Sequence, residues 1–513
     1  MHGAQPGDLA LISQGRGRAR VERRLGSARR IENVLEALLV ENGARDELEP
    51  FELPTEGGQG RADLRELPTL TIDPDTAKDF DDALSFRREP GGIRAWVHIA
   101  DVSWFVRPGS PLDHGAAERG FSTYVPGLVA PMLPHELADD ACSLRPHQDR
   151  LCVTVEMPPH GEPVFYRSVI NSDVRLTYGQ AQRREADPEI LEQLDLAGEG
   201  AGALRAERYA RGALEIVSPE VAVSFADGRV ASAWRESEPH AHMLVEELMI
   251  RANEHVGSFL AGRRREALYR VHERPDPQSI SRLLAQLDDL DVPTPPVPDR
   301  IAPQQAAELA GAISRRVAEY AEQSGRGREA FPALVLRALK QARYDPVNLG
   351  HSGLASPAYC HFTSPIRRYP DLVVHRALLR ELGLADDPLP DDLAGLAEHV
   401  SARERAAAQL EYLADDVCLA WLLEDTLLER GWEEPWEGEI TGVIGFGLFV
   451  RFGDVFEGLL PARRLQGEFY ELNATATALV GRRSGRRFRL GDRIRVRVDS
   501  IARHEGKVEL APA

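Results

Sequence analysis

The sequence predicts an α+β fold followed by a small all-β barrel, and three patterns carry that expectation. Strand-like runs come early, helix-like runs come late, and after Trp432 the chain changes to alternating apolar residues broken by glycines. At 513 residues, 43% apolar and 28% charged, the chain has room for roughly two to four domains, each able to bury a core unaided.

In order along the chain, Asp8–Ile12 and Arg18–Glu22 read as short strands around Gly15 and Gly17. Ile31, Val34, Leu35, Leu38 and Leu39 follow with helical spacing, ended by Gly43. Glu56-Gly57-Gly58-Gln59-Gly60 reads as a linker, so residues 1–65 form a small module. Beyond it, Ile93, Ala95, Val97 and Ile99 alternate with Trp96, His98, Ala100 and Val102, a strand apolar on both faces. Leu151–Met157 reads as another strand, and 241–260, 303–324, 331–343, 371–382 and 398–429 read as helices. The region 66–430 is therefore expected to be a sheet covered on one side by helices. From 433 to 513, Gly438–Val443, Gly447–Phe452 and Arg493–Val498 have strand period, a length and texture that fit a five-stranded OB barrel.

Four cysteines without a C-x-x-C pair exclude a disulfide scaffold and a cysteine-rich zinc site. No apolar run approaches the roughly 20 residues of a membrane span, and the N-terminus lacks the apolar core of a secretory signal. A cytoplasmic protein with no membrane contact is expected. The net charge of −19 argues against a simple basic nucleic-acid binder, yet the bases are clustered. Residues 15–30 hold seven arginines, and 481–507 hold nine arginines and Lys507. Such runs are either solvated faces or local contacts with a polyanion.

Chemistry concentrates in two places. Thr71-Ile72-Asp73-Pro74-Asp75-Thr76-Ala77-Lys78-Asp79-Phe80-Asp81-Asp82 packs five carboxylates into ten positions. Carboxylates this dense repel one another, so burying them requires a cation or shared protons. Oxygen donors without His or Cys point to Mg2+ or Mn2+, and a calcium loop fails because Lys78 and Leu84 stand where it needs Gly and Glu. Two such ions about 3.5–4 Å apart are the usual device for cutting phosphodiesters. On composition alone, a solvated acidic loop is an almost equal rival. The second place is His361-Phe362-Thr363-Ser364-Pro365-Ile366-Arg367-Arg368-Tyr369-Pro370-Asp371, where two prolines fix the backbone around adjacent arginines suited to phosphate. Arg368 has a plainer alternative, an ion pair with Asp371. His98 and His272 sit among apolar neighbours and read as satisfied core histidines.

These segments, with His98–Val102, Tyr124-Val125-Pro126-Gly127, Pro131–Pro134, Cys142-Ser143-Leu144 and Arg270–Glu273, resemble the ribonuclease II/R (RNB) family over roughly 66–430. The tail resembles an S1 domain. The resemblance implies 3′→5′ processive hydrolysis of single-stranded RNA to 5′-nucleoside monophosphates with Mg2+. It implies that Asp73, Asp79, Asp81 and Asp82 hold the metal or its waters, with Asp81 most tied to cleavage. Arg367 would contact the scissile phosphate, Tyr124 would stack near the 3′-terminal bases, and Glu411 would line the same chamber. Asp75 falls outside the motif. In the tail, Phe446 and Phe449 flank a glycine on an OB strand; one is expected in the core and one exposed to stack a base.

Two departures stand out. The family places two cold-shock OB domains before the catalytic region, and 1–65 cannot hold them; it is either the tail of the second or a helix-turn-helix-like module. Where family members carry a second base-stacking Phe, Arg211-Gly212-Ala213-Leu214-Glu215 leads here to Ile216. The rival readings are a catalytically dead RNA-binding protein on the same fold, against which all four acids stand, and a phosphorolytic exonuclease. No obligate protein partner is evident, and a monomer is expected.

Overall fold

A seven-stranded sheet carries the core of the mixed α+β region. Its order runs from the edge strand Val174–Thr177 through Leu70–Asp73, Asp82–Glu89, Gly92–Ala100, Asp149–Met157 and Val164–Asn171 to the short Ala62–Asp63. The outermost pairs at each edge are parallel and the pairs between them antiparallel. The computed structural model describes residues 4–15, 18–44, 48–54, 59–214, 221–236, 239–298 and 300–513. Ile216 and part of the glycine linker lie outside the described residues.

Covering the sheet on one side is too simple a picture. Ala95 to Ala100 are all buried in succession, as are Ala83 to Phe86, so both faces are packed. The helix Pro239–Gly262 and the helix Pro188–Ala210 belong to the same core. Polar groups inside this core are paired, as burial requires. His98 lies between Ser85 Oγ (3.1 Å) and Thr154 Oγ1 (2.9 Å), and that row continues to Thr69 and Ser168. Burial holds the His98 imidazole neutral, its pKa pushed down to about 3. His272 accepts from Gly353 N (2.8 Å) and faces the Lys340 carbonyl (2.7 Å). Both histidines are core residues, as their neighbours indicate.

Four of the five expected helices have nearly the expected bounds: Pro239–Gly262, Pro303–Ser324, Tyr369–Glu381 and the 38-residue Leu393–Arg430. The helix expected over 331–343 ends at Arg337, because Lys340 and Arg343 are drawn to Glu273 and Arg343–Asp345 pairs as a strand with Tyr269–Val271. The N-terminal module is a hairpin, Asp8–Gly15 with Arg18–Ser27, and the helix Ile31–Glu41. A helix-turn-helix needs a second helix, and the described residues of 1–65 hold one. Ile31, Val34, Leu35 and Leu39 bury against Leu410, Ala414, Val417 and Trp421 of the long helix.

The tail closes as a five-stranded barrel of Trp436–Ile444, Gly447–Phe452, Phe456–Pro461, Lys507–Pro512 and Arg493–Ala502. A three-stranded sheet, Tyr470–Leu472, Ala478–Gly481 and Arg487–Arg489, is inserted between its third and fourth strands in the chain. The barrel shares one apolar core with the preceding helices: Leu448, Val450 and Phe452 cluster with Leu283, Leu287, Phe331, Leu423 and Leu427. No helix among the described residues is long and apolar enough to cross a membrane.

Candidate active site

The acidic segment is the connection between two neighbouring strands. The chain leaves the sheet at Asp73, the last residue of Leu70–Asp73, and re-enters at Asp82, the first of Asp82–Glu89. That brings the two end carboxylates together at the ends of these two strands. The loop between them is held from behind by Ser143. Its hydroxyl accepts from Phe80 N (3.0 Å) and donates to the Lys78 carbonyl (2.6 Å), while Leu144 N donates to the Phe80 carbonyl (2.9 Å).

From the other side comes the arginine segment. Asp371, wholly buried in the first turn of Tyr369–Glu381, accepts from Ser364 N (2.8 Å) and from the Arg368 guanidinium (2.7 Å). Arg368 thus makes the ion pair that its sequence neighbour allowed, with 21% of its side chain left exposed. The turn so formed aims Ile366 N at Asp81 Oδ1 (2.8 Å) and Arg367 Nε at Asp81 Oδ2 (3.2 Å), and Ser364 Oγ accepts from Arg367 (3.1 Å). The Arg367 side chain remains 46% exposed while that of Asp81 is 3% exposed. Such a guanidinium is oriented from its buried end and open at the other.

Gly120 to Ser122 runs along the arginine turn, with Ser122 N donating to the Arg367 carbonyl (2.9 Å) and Tyr369 N to the Gly120 carbonyl (2.9 Å). It delivers the short strand Thr123–Val125. The Tyr124 hydroxyl donates to Asp79 Oδ2, and the Tyr124 amide donates to Glu411 Oε1 (2.8 Å) on the long helix. Asp73, Asp79, Asp81, Asp82, Tyr124, Arg367 and Glu411, spread over more than three hundred residues of chain, thus meet at one site. Asp75 is exposed outside it.

Electrostatics mark the acids as strained. Burial first, and then the charge of Asp82, push the Asp73 carboxyl up to about 7. Burial pushes Asp82 up to about 6, and Asp81 goes well above the usual carboxylate range for the same reason, against the pull of Arg367. Asp73 Oδ2 is buried and lacks a hydrogen-bond partner. An orphaned anionic oxygen beside a second carboxylate is what a cation would relieve. Asp81 and Asp79 are engaged by protein donors. Among the described residues, no three His, Cys, Asp or Glu side chains converge as a ready-made metal cage. The donor set that remains, Asp73 and Asp82, fits a hard ion that keeps several waters and takes substrate oxygens, the habit of Mg2+.

Pattern alone did not reveal Ser143, Ser364 or the Ile366 amide as parts of the site. Ser143 acts through contacts distant in the chain, Ile366 through its backbone, and Ser364 through a hydroxyl that any surface serine also carries.

On the barrel, the expectation for the two phenylalanines needs correcting. Phe446 is 68% and Phe449 37% exposed, so neither is core. Phe452 and Phe456 fill the interior instead, around Trp436. The basic tail is also less free than its count suggests. Six of its nine arginines, Arg482, Arg487, Arg489, Arg495, Arg497 and Arg503, form ion pairs. The exposed ones, such as those of Arg482 and Arg495, are weak, so a phosphate can displace the carboxylate there.

The RNB domain family model matches residues 61–383, and the S1 RNA binding domain model matches 433–511. Ribonuclease R of Escherichia coli (strain K12) is 36% identical over 488 residues, covering 90% of this chain and 58% of that protein. Ribonuclease R of Aquifex aeolicus is 37% identical over 486 residues, covering 90% of this chain and 66% of the relative. Mycoplasma genitalium RNase R, solved in complex with ribose methylated single-stranded RNA, superposes with a TM-score of 0.86 at 26% identity, covering 96% of this chain and 80% of that one. The chain thus spans less than two thirds of the length of these two curated relatives. With its acidic loop, arginine turn and sheet all inside the matched segment, the chain belongs to the RNB family.

Proposed function

We propose that the chain is a hydrolytic 3′→5′ exoribonuclease that degrades single-stranded RNA processively to 5′-nucleoside monophosphates. The observation that carries this is the joint between the acidic loop and the arginine turn. A buried Asp81 orients a half-exposed Arg367 at 3.2 Å, beside carboxylates that burial has left without enough positive charge.

Nucleases of this family are metal-dependent, and Mg2+ (or Mn2+) held by Asp73 and Asp82 is the proposed cofactor. When bound, it activates the attacking water and stabilises the leaving oxygen. The chain's own residues supply the rest. Arg367 offers a planar, permanently charged donor fork to the non-bridging oxygens of the scissile phosphate. Asp81 and Ser364 fix the direction of that fork. Water attacks phosphorus, the bond to the upstream 3′ oxygen breaks, and that oxygen takes a proton, leaving the terminal nucleotide as its 5′-monophosphate. The Tyr124 ring, held at its hydroxyl by Asp79 while Glu411 holds its backbone amide, is proposed to stack a base near the 3′ end. Phe446 and Phe449 are proposed to stack bases further upstream.

Mycoplasma genitalium RNase R has been solved with single-stranded and with double-stranded RNA. Single-stranded RNA is the proposed substrate here, acted on by a monomer in the cytoplasm. Thin-layer separation of the products from an end-labelled oligoribonucleotide with Mg2+ tests the reading. Nucleoside 5′-monophosphates without added phosphate are expected. Nucleoside diphosphates that require inorganic phosphate would mean phosphorolysis, and binding without any product would mean a dead fold.

A further inference from the structure

Arg175 stands behind the acidic loop and takes no part in the site as described above. It lies on the edge strand Val174–Thr177, which pairs parallel to Leu70–Asp73 and places Arg175 opposite Thr71. Its guanidinium donates to the Pro74 carbonyl, immediately after Asp73, and sits 5.6 Å from the centre of the Phe80 ring, immediately before Asp81. One side chain therefore bridges both ends of the loop. Behind it opens a cavity of about 720 Å3, lined also by Lys78, Phe80, Arg145 and Gln148.

We propose that Arg175 is a positioning residue that holds the acidic loop in its cation-binding shape before any cation arrives. The inference rests on reading Asp73 and Asp82 as the cation holders. Without metal, crowded carboxylates push the loop apart, and a tether on both its ends resists that. The positive charge of Arg175 also draws on Asp73, which by itself repels an incoming cation. Tether and charge thus act on metal affinity with opposite signs, which makes the role measurable.

The experiment uses the full chain without RNA. Mn2+ binding is followed by electron paramagnetic resonance, and hydrogen exchange of the Asp75–Phe80 amides is followed in metal-free protein, for wild type, R175A and R175K. R175A is expected to bind Mn2+ about tenfold more weakly, the loss that follows if the loop is competent about a tenth of the time. Its loop amides should exchange faster by a similar factor with the melting temperature unchanged. R175K keeps the charge but not the planar fork, so it should follow R175A; if R175A fails to fold, R175K carries the same test. Mn2+ binding in R175A as tight as or tighter than wild type, with loop exchange unchanged, overturns the proposal. So does full recovery of both readouts in R175K, because charge alone would then suffice. Wild-type protein that takes up no Mn2+ overturns the reading of Asp73 and Asp82, while loop exchange in R175A still decides whether Arg175 holds the loop.

Discussion

Replacing Asp81 by Asn keeps the shape of a buried side chain and removes the acceptor that orients Arg367. The amide oxygen still accepts from Ile366 N, a 2.8 Å contact in the wild-type chain. The amide nitrogen then faces Arg367 Nε, donor against donor, where the wild-type distance is 3.2 Å. Breaking a buried ion pair ordinarily costs about 3–5 kcal/mol because one charge is stranded. Here the stranded partner is 46% exposed and water can solvate it, while the buried member of the pair becomes neutral. Stability should therefore change by no more than about 1 kcal/mol, the scale of an exposed pair. Catalysis loses an oriented donor at the reacting phosphate, and removing one such preorganised donor costs about 2.7–4 kcal/mol, or ~10²–10³ in rate. Single-turnover cleavage of labelled single-stranded RNA should fall by at least ~10²-fold, with gel-shift affinity within about threefold because phosphate contacts elsewhere dominate binding. RNA affinity that collapses in step with the rate, or a large drop in melting temperature, would refute the argument and make Asp81 a structural residue.

Tyr124→Ala should release a longer limit product on a sequencing gel while still initiating on long RNA, since it loses a stack of about 1–3 kcal/mol nearest the chemistry. Tyr124→Phe keeps the ring and loses only the hydroxyl contact with Asp79, so it should stop where wild type stops; the same end product from both variants and wild type would leave Tyr124 as loop packing. Phe446→Ala should weaken RNA binding by about 1–3 kcal/mol without lowering the melting temperature, because the ring is 68% exposed; unchanged binding in a filter assay removes it from the RNA surface. The metal-free protein should lose stability as pH rises from about 4 to about 7. The raised carboxyls of Asp73 and Asp82, at about 7 and about 6, favour the folded state while protonated, and that contribution is gone above their folded values. Mg2+ should accordingly raise the melting temperature more at about pH 7.5, above both folded values, than at about pH 5.5, below both; an equal rise at both, by calorimetry, would mean the ion binds elsewhere.

What the sequence made legible follows from what leaves a local mark. Helical spacing at Ile31–Leu39, the run apolar on both faces at 92–100 and the alternating run at 447–452 are imposed by burial on neighbouring residues, so they could be read directly. The acids and arginines could be found because dense like charge and paired prolines are unusual in themselves. The helix Pro188–Ala210 went unread because small residues interrupt its apolar face, and its stability comes from packing on the sheet. The length of 331–343 was misjudged for a related reason, since Glu273, far back in the chain, captures Lys340 and Arg343. Phe446 and Phe449 escaped because exposure on a barrel depends on which of several nearby aromatics fills the interior, and Phe452 and Phe456 do so here. The site's supports are invisible in kind: Ser143 acts across more than sixty residues of chain, and the Ile366 amide is a group every residue but proline carries.

The shared core between barrel and helices changes what removing the tail would mean. Deleting 433–513 would uncover Phe331, Leu423 and Leu427, so lost RNA binding in such a truncation could not be assigned to the RNA surface. The single helix Leu393–Arg430 explains why the two parts are joined so closely. At 1.5 Å per residue its 38 residues span about 57 Å. Along that length Glu404 pairs with Arg270 (2.7 Å), Glu411 holds the Tyr124 amide, and Glu424 pairs with Arg503 of the barrel (2.7 Å). Arg503 also lies 4.4 Å from the Trp421 ring centre, and Gly506 meets the helix backbone at Asp416 and Val417, where a Cβ would clash. One rigid element therefore sets the separation between Tyr124 and the barrel. If both surfaces hold the same RNA strand, the shortest RNA that reaches from one to the other is fixed by this helix and not by a flexible linker. Point substitutions of Phe446 and Tyr124, which leave the helix contacts alone, can then separate grip on the strand from the geometry of the cut.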